Sequence, residues 1–104
     1  ARKYYKDVVG IYVNEDLPVV NLKIRVYGVQ TEYMRMLPLH KSQREGASKY
    51  GEFAEFSYRV CLTPELKSKI LALGSNVEVL EPAEYREEIK KEISASLDRY
   101  MKKE

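Results

Sequence analysis

Hydrophobic and polar residues alternate with a period of two along residues 20–27 and again along residues 55–62. This period predicts two β-strands, each with one buried face and one polar face. An extended, mostly polar stretch at residues 39–44 precedes the second of these strands, and a loop predicted at residues 45–48 joins the two into a hairpin. Residues 77–80 form a short apolar run, which predicts a fourth strand.

Two helices are predicted between these strands, and both have signals at their ends. Thr31 is predicted to cap a short helix that Pro38 ends. The second helix has Thr63 as its N-cap, Pro64 at its first position and Gly74 just beyond its C-terminus. The spacing of three and four residues predicts the buried faces, which are Tyr33, Met36 and Leu37 in the first helix and Leu66, Ile70, Leu71 and Leu73 in the second.

A third helix is predicted to begin after Pro82 and to run to the end of the chain. Its apolar positions are Tyr85, Ile89, Ile93, Leu97 and Tyr100. This stripe packs either across the sheet of its own chain or onto a second copy, and the pattern does not choose between them. The order β-α-β-β-α-β plus a helix predicts an α+β, ferredoxin-like sandwich with a four-stranded antiparallel sheet and a long C-terminal helix.

Length and composition are those of one compact domain, with 104 residues, 44% hydrophobic and 33% charged. We predict a lead-in arm at residues 1–17 and an α/β domain at residues 18–104. The first residue is Ala1 rather than methionine, which indicates a piece of a longer protein. The single cysteine, Cys61, excludes an internal disulfide, and no apolar run approaches the roughly 20 residues of a membrane helix. We therefore expect a cytoplasmic protein with no membrane partner.

His40 is the only histidine, so the usual templates for a metal site with two imidazoles or for a Ser-His-Asp arrangement do not apply. We expect no catalytic residue, no metal and no cofactor. His40, Ser42 and Gln43, flanked by Lys41 and Arg44, could donate several hydrogen bonds to an anionic ligand. The alternative is that these side chains hold an irregular edge strand through bonds to the backbone.

A basic surface is predicted on the polar side of the sheet. Lys23 and Arg25 face that side from the first strand, Arg59 faces it from another strand, and Tyr27 lies among them. Such a surface can pair with the phosphates and stack the bases of a single-stranded nucleic acid or a nucleotide. The alternative is a solvated face or one covered by a partner domain. A net charge of +2 is too balanced to indicate nucleic-acid binding by itself.

Residues 26–35 resemble the phosphate loop of acylphosphatases, which are enzymes of similar fold and size. That motif has one more residue between its first glycine, here Gly28, and its glutamine, and it needs a second glycine where this chain has Thr31. The backbone cradle for phosphate is therefore incomplete. An acylphosphatase-like enzyme, with activity that depends on Arg35, stays open as an alternative.

A series of segments resembles the C-terminal extension of WYL-domain transcriptional regulators, and their order and spacing agree from about Val19 to Tyr100. The segments are Pro38-Leu39-His40-Lys41-Ser42-Gln43, a Phe- and Tyr-rich strand, Thr63-Pro64-Glu65-Leu66, Ile70-Leu71-Ala72-Leu73-Gly74, Val77-Glu78-Val79-Leu80-Glu81-Pro82 and a closing Tyr85-Arg86 helix. Val9-Gly10 also resembles the end of a preceding WYL domain. The resemblance marks His40, Ser42 and Gln43 as polar positions for contact with a ligand or a domain.

This resemblance implies a non-enzymatic regulatory module of a bacterial transcriptional regulator. In such proteins a winged-helix domain binds DNA, a WYL domain senses an effector, and the C-terminal piece dimerises the protein and positions the sensor. We accordingly expect a homodimer, contacts with the parent's WYL and winged-helix domains, and DNA binding through the missing N-terminal domain. The basic and aromatic side chains on the polar side of the sheet, rather than the resemblance, are the reason to expect a single-stranded nucleic acid or a nucleotide as the effector. A ligand-free oligomerisation domain stays open as a further alternative.

Overall fold

A computed structural model describes residues 17–102 of the 104-residue chain. The elements in chain order are β1 (Val19–Tyr27), α1 (Gln30–Met36), β2 (Arg44–Lys49), β3 (Phe53–Cys61), α2 (Pro64–Ala72), β4 (Val77–Glu81) and α3 (Ala83–Met101). The four strands form one antiparallel sheet in the order β2-β3-β1-β4. This topology confirms the predicted ferredoxin-like fold with a long C-terminal helix. The predicted lead-in arm, apart from Leu17, lies outside the described residues.

The alternation in β1 and β3 separates the core from the open face of the sheet. Ile24 lies opposite Phe56 and Leu22 lies opposite Tyr58, and all four side chains are buried. The helices cover this side of the sheet with Met34, Leu66, Ile70, Tyr85 and Ile89. The intervening residues of β1 and β3 therefore face away from the core. The described helices leave this side uncovered, and it is the open face of the sheet.

The predicted ends of α2 are confirmed. The Thr63 side-chain oxygen accepts a hydrogen bond from the Leu66 backbone N–H at 3.2 Å, and Pro64 occupies the first turn. Gly74 follows the helix with a φ of 63°, a left-handed conformation that a residue without a Cβ adopts at little cost. The turn at Gly74 leads directly into a short 3₁₀ helix and then into β4.

The predicted bounds of the hairpin's first strand and of its loop were wrong. Residues 39–43 form turns rather than a strand, the predicted loop at 45–48 lies inside β2, and the connection to β3 is a tight turn at residues 50–52. This turn is closed by the bond from the Glu52 N–H to the Lys49 carbonyl at 2.9 Å, and Gly51 supplies a φ of 80°. All six residues of β2 are exposed, so this edge strand has no hydrophobic period that a sequence pattern could show.

The predicted buried face of α1 was also wrong. Tyr33, Met36 and Leu37 are 53%, 73% and 75% exposed, whereas Thr31 and Met34 are buried. Thr31 does not cap the helix: its hydroxyl donates to the Gly28 carbonyl at 2.9 Å from within the first turn. A helix of seven residues makes only about two turns, so a spacing of three and four residues fits both of its faces.

The apolar stripe of α3 divides into two halves. Tyr85 and Ile89 are buried in the core of the chain, whereas Ile93, Leu97 and Tyr100 are 52%, 56% and 87% exposed. The first half of the stripe therefore packs on its own domain, and the second half has no apolar cover among the described residues.

Candidate functional site

A cavity of about 640 Å³ lies on the open face of the sheet and extends to the edge at residues 41–44. Its charged lining residues are Lys23, Lys41, Arg44, Arg59 and Glu81. Ligand sites commonly have volumes of roughly 300–1,000 Å³, so the cavity is large enough for a small phosphorylated molecule or part of a chain. Four cations against one carboxylate make the cavity net positive.

Strand register brings these charges together. Lys23 of β1 lies opposite Ser57 of β3, and Ser57 lies opposite Arg44 of β2. Asn21 lies opposite Arg59 in the neighbouring row of the sheet. Because alternate residues of a strand face the same side, Lys23 and Arg59 both stand on the open face. The alternation seen in the sequence therefore placed these two cations correctly on the polar side.

The charges of the cavity are not neutralised by one another. Among residues 17–102, none of the five charged side chains that line the cavity forms an ion pair. Lys23 and Glu81 lie opposite each other on neighbouring strands, but their side chains do not form an ion pair with each other. Arg59 Nη1 only reaches the Asn21 side-chain oxygen at 3.4 Å. Ion pairs do occur elsewhere on this face, as between Arg25 and Glu55, so the charged side chains of the cavity differ from these neighbours in having no ionic partner among the described residues.

Arg25, in contrast, is engaged outside the cavity. Its guanidinium donates two hydrogen bonds to one Glu55 oxygen at 2.6 and 3.1 Å, and it lies 4.5 Å from the centre of the Phe53 ring. The predicted basic surface therefore divides into two parts. Lys23 and Arg59 line the cavity, and Arg25 belongs to a neutralised part of the same face.

Tyr27 also belongs to that neutralised part. Its hydroxyl donates to Glu78 at 2.7 Å, and Arg86 donates to the other oxygen of the same carboxylate at 2.7 Å. The bonds from Arg86 and then from Tyr27 lower the pKa of the Glu78 carboxyl below its ordinary value. Glu78 therefore stays ionised at neutral pH, and the Tyr27 hydroxyl already has an acceptor.

His40 and Ser42 fasten the connection between α1 and β2 to the edge of β3. His40 is 9% exposed, and its Nδ1 accepts the Ser42 backbone N–H at 3.0 Å and lies 2.8 Å from the Ser42 hydroxyl oxygen. That hydroxyl oxygen accepts the Arg59 backbone N–H at 3.0 Å. Ser42 lines the cavity and His40 lies behind it. The two residues hold the wall that carries Lys41 next to Arg59.

Gln43 joins three parts of the chain. Its side-chain oxygen accepts the Leu39 backbone N–H at 3.1 Å and the Tyr58 hydroxyl at 2.6 Å. Its side-chain nitrogen donates to the Met34 carbonyl at 2.9 Å. Burial raises the pKa of the Tyr58 phenol, so this hydroxyl remains a proton donor. These bonds match the interpretation in which the polar side chains hold an irregular segment.

Glu81 is the charged lining residue that the sequence analysis did not predict. In β4, Val79 faces the core opposite Ile24, so strict alternation would also turn residue 81 inward. The pairing of β1 with β4 shifts register between Lys23 and Ile24, and this bulge sets Glu81 opposite Lys23 on the open face. No local pattern in the apolar run at 77–80 indicates such a bulge.

The loop that resembles an acylphosphatase phosphate loop carries a neutralised cation. Arg35 donates to both oxygens of Glu45 at 2.9 and 2.8 Å and to Glu32 at 3.1 Å. The Thr31 hydroxyl is bonded to the Gly28 carbonyl, in the place where that family needs a glycine. These contacts leave the loop without an available cation for an anionic substrate.

Within residues 17–102, no group of three or more His, Cys, Asp or Glu side chains is arranged to hold a metal ion. None of the helices described there is long and apolar enough to cross a membrane.

The family model described as the WCX domain matches residues 18–97, which are 80 of the 104 residues. No curated protein matches the chain.

Proposed function

The chain belongs to the WCX domain family, the C-terminal extension of WYL-containing regulators, and from this premise we propose that it binds the phosphates of a regulatory effector. The effector is a single-stranded nucleic acid or a nucleotide, and it binds in the cavity on the open face of the sheet. The parent is a bacterial, cytoplasmic regulator in which a separate winged-helix domain binds DNA. Residues 18–104 are its C-terminal module, and residues 1–17 lead in from its WYL domain.

The observation that carries this proposal is the group of unpaired cations in the cavity. Lys23, Lys41, Arg44 and Arg59 converge there, and none of them forms an ion pair among the described residues. Phosphate oxygens accept charge-assisted hydrogen bonds from such side chains, and arginine can bind them through two parallel bonds. A non-enzymatic role agrees with a family of regulators rather than enzymes.

Replacing Lys23 or Arg59 by alanine is expected to weaken binding of a single-stranded oligonucleotide about tenfold each. Each substitution removes about one phosphate contact, so the slope of log affinity against log salt should fall by roughly 0.7. The measurement is fluorescence anisotropy with a fluorescein-labelled oligonucleotide, titrated at several salt concentrations.

Arg25→Ala is the matched control for these variants. Arg25 lies on the same strand and the same face as Lys23, but it is paired with Glu55 and lies outside the cavity. Its removal should change affinity less than twofold. Equal losses in all three variants would point to a general charge effect, and absence of wild-type binding at low salt would refute the proposal.

A second function, formation of a homodimer through α3, is favoured by a separate observation. The exposed apolar residues Ile93 and Leu97 continue from a groove of about 300 Å³ that Ile93 itself lines together with Ile70, Leu71, Val77, Val79 and Ile89. We propose that α3 of a second copy covers this surface in an antiparallel arrangement. Such packing is isologous, so both copies bury the same residues.

Charge supports a second copy as the partner in this arrangement. The first turns of α3 carry Glu84, Glu87 and Glu88 with one arginine, Arg86, and are net negative, whereas Arg99 and the C-cap residue Lys102 outnumber Asp98 at the other end. Antiparallel packing brings the acidic start of each helix beside the basic end of the other. The helix dipoles are then also oppositely directed.

A further inference from the structure

The cavity on the open face has a cationic side and an anionic end. Arg44 of β2, Ser57 of β3, Lys23 of β1 and Glu81 of β4 form one row across the sheet. With roughly 4.8 Å between neighbouring strands, the Cα atoms of Arg44 and Glu81 lie roughly 14 Å apart. Lys41 and Arg59 add to the cationic side. A ligand that fills the cavity therefore meets opposite charges at its two ends.

The Glu81 side chain is exposed and takes part in no ion pair or hydrogen bond within residues 17–102, although Lys23 is the cross-strand partner of Glu81. An ionised carboxylate only accepts hydrogen bonds. It repels phosphate, and it attracts hydroxyl or amino groups of a ligand. The β4 end of the cavity is therefore built for a hydrogen-bond donor, while phosphates belong on the side of Glu81 that faces Lys23, Lys41, Arg44 and Arg59.

We propose that Glu81 accepts a hydrogen bond from a ribose 2′-hydroxyl, so that the effector is a ribonucleotide or an RNA strand rather than its deoxy counterpart. This inference rests on the proposed phosphate-binding function. In a nucleotide the sugar hydroxyls lie next to the phosphates. A nucleotide can therefore place its phosphate against the cations and its sugar against Glu81, which follow one another along the row. Acidic side chains in other nucleotide sites bind ribose hydroxyls, and the 2′-hydroxyl distinguishes RNA from DNA.

The test compares two fluorescein-labelled single strands of identical base sequence, one of RNA and one of DNA, by anisotropy at a single salt concentration. The wild-type chain should bind the RNA about tenfold more tightly, because a hydrogen bond to a charged group discriminates by at least that factor. In Glu81→Ala the preference should fall below twofold, and the DNA strand should bind as tightly as before or more tightly, because a repelling charge is gone.

Glu78→Gln is the matched control, since Glu78 lies on β4 but outside the cavity and bonds to Arg86 and Tyr27. It should keep the full preference for RNA. If Glu81→Ala fails to fold, as judged by circular dichroism, Glu81→Gln takes its place and should reduce the preference while retaining the side-chain shape.

The outcomes separate this inference from the function on which it rests. Equal wild-type affinity for RNA and DNA, with salt-sensitive binding of both, overturns the role of Glu81 and leaves phosphate binding intact. A preference for RNA that survives in Glu81→Ala also overturns it. Absence of binding of either strand overturns both proposals.

Discussion

Replacing Gln43 by alanine is expected to lower the free energy of unfolding by about 3 kcal/mol. The substitution breaks three hydrogen bonds, which join the side chain to Leu39, Tyr58 and Met34. Each is worth about 1 kcal/mol net, and the buried Tyr58 hydroxyl also loses its partner. Since small domains are stable by only about 5–15 kcal/mol, this is a large fraction of the total.

Chemical denaturation followed by circular dichroism measures this loss. Lys41→Ala is the control, because Lys41 lies two residues away, is exposed and forms no ion pair among the described residues. That change should stay within about 0.5 kcal/mol of the wild type. Tyr58→Phe removes only one of the three bonds and should cost about 1 kcal/mol. A loss below 1 kcal/mol in Gln43→Ala would show that these bonds do not hold the segment.

The sequence predicted those parts of the fold in which local signals and burial agree. In α2, the cap at Thr63, Pro64 in the first turn and Gly74 beyond the end all act within a few residues of the helix. In β1 the alternation matches a strand buried on one face. The failures fell on β2 and α1, where an exposed edge strand and a helix of two turns have no clear hydrophobic period.

The candidate site could be predicted only in part, for a similar reason. Alternation was enough to set Lys23 and Arg59 on the polar face. Arg25 is paired with Glu55, which lies 30 residues further along the chain, and the pattern within one strand contains no information about such a contact. Glu81 lines the cavity because the pairing of β1 with β4 has a bulge between Lys23 and Ile24. Pairing between strands, rather than the pattern within one strand, therefore decided which charges remain available.

Replacing Leu97 by lysine is expected to raise the dissociation constant of the α3-mediated homodimer at least about 100-fold. Leu97 lies in the exposed half of the apolar stripe, and moving the ammonium group of a lysine from water into this apolar contact costs several kcal/mol. Because the arrangement is isologous, the substitution enters the interface twice. About 2.7 kcal/mol is enough for a 100-fold change.

Light scattering and sedimentation over a range of concentrations measure this change. Ala95→Lys is the control: it adds the same charge to the same helix, and at about 100° per residue position 95 faces away from Leu97. The control should remain dimeric while Leu97→Lys becomes a monomer. A monomeric wild type at high concentration would reject the dimer but not the phosphate site, because the cavity lies on the opposite face of the sheet and needs no residue of α3.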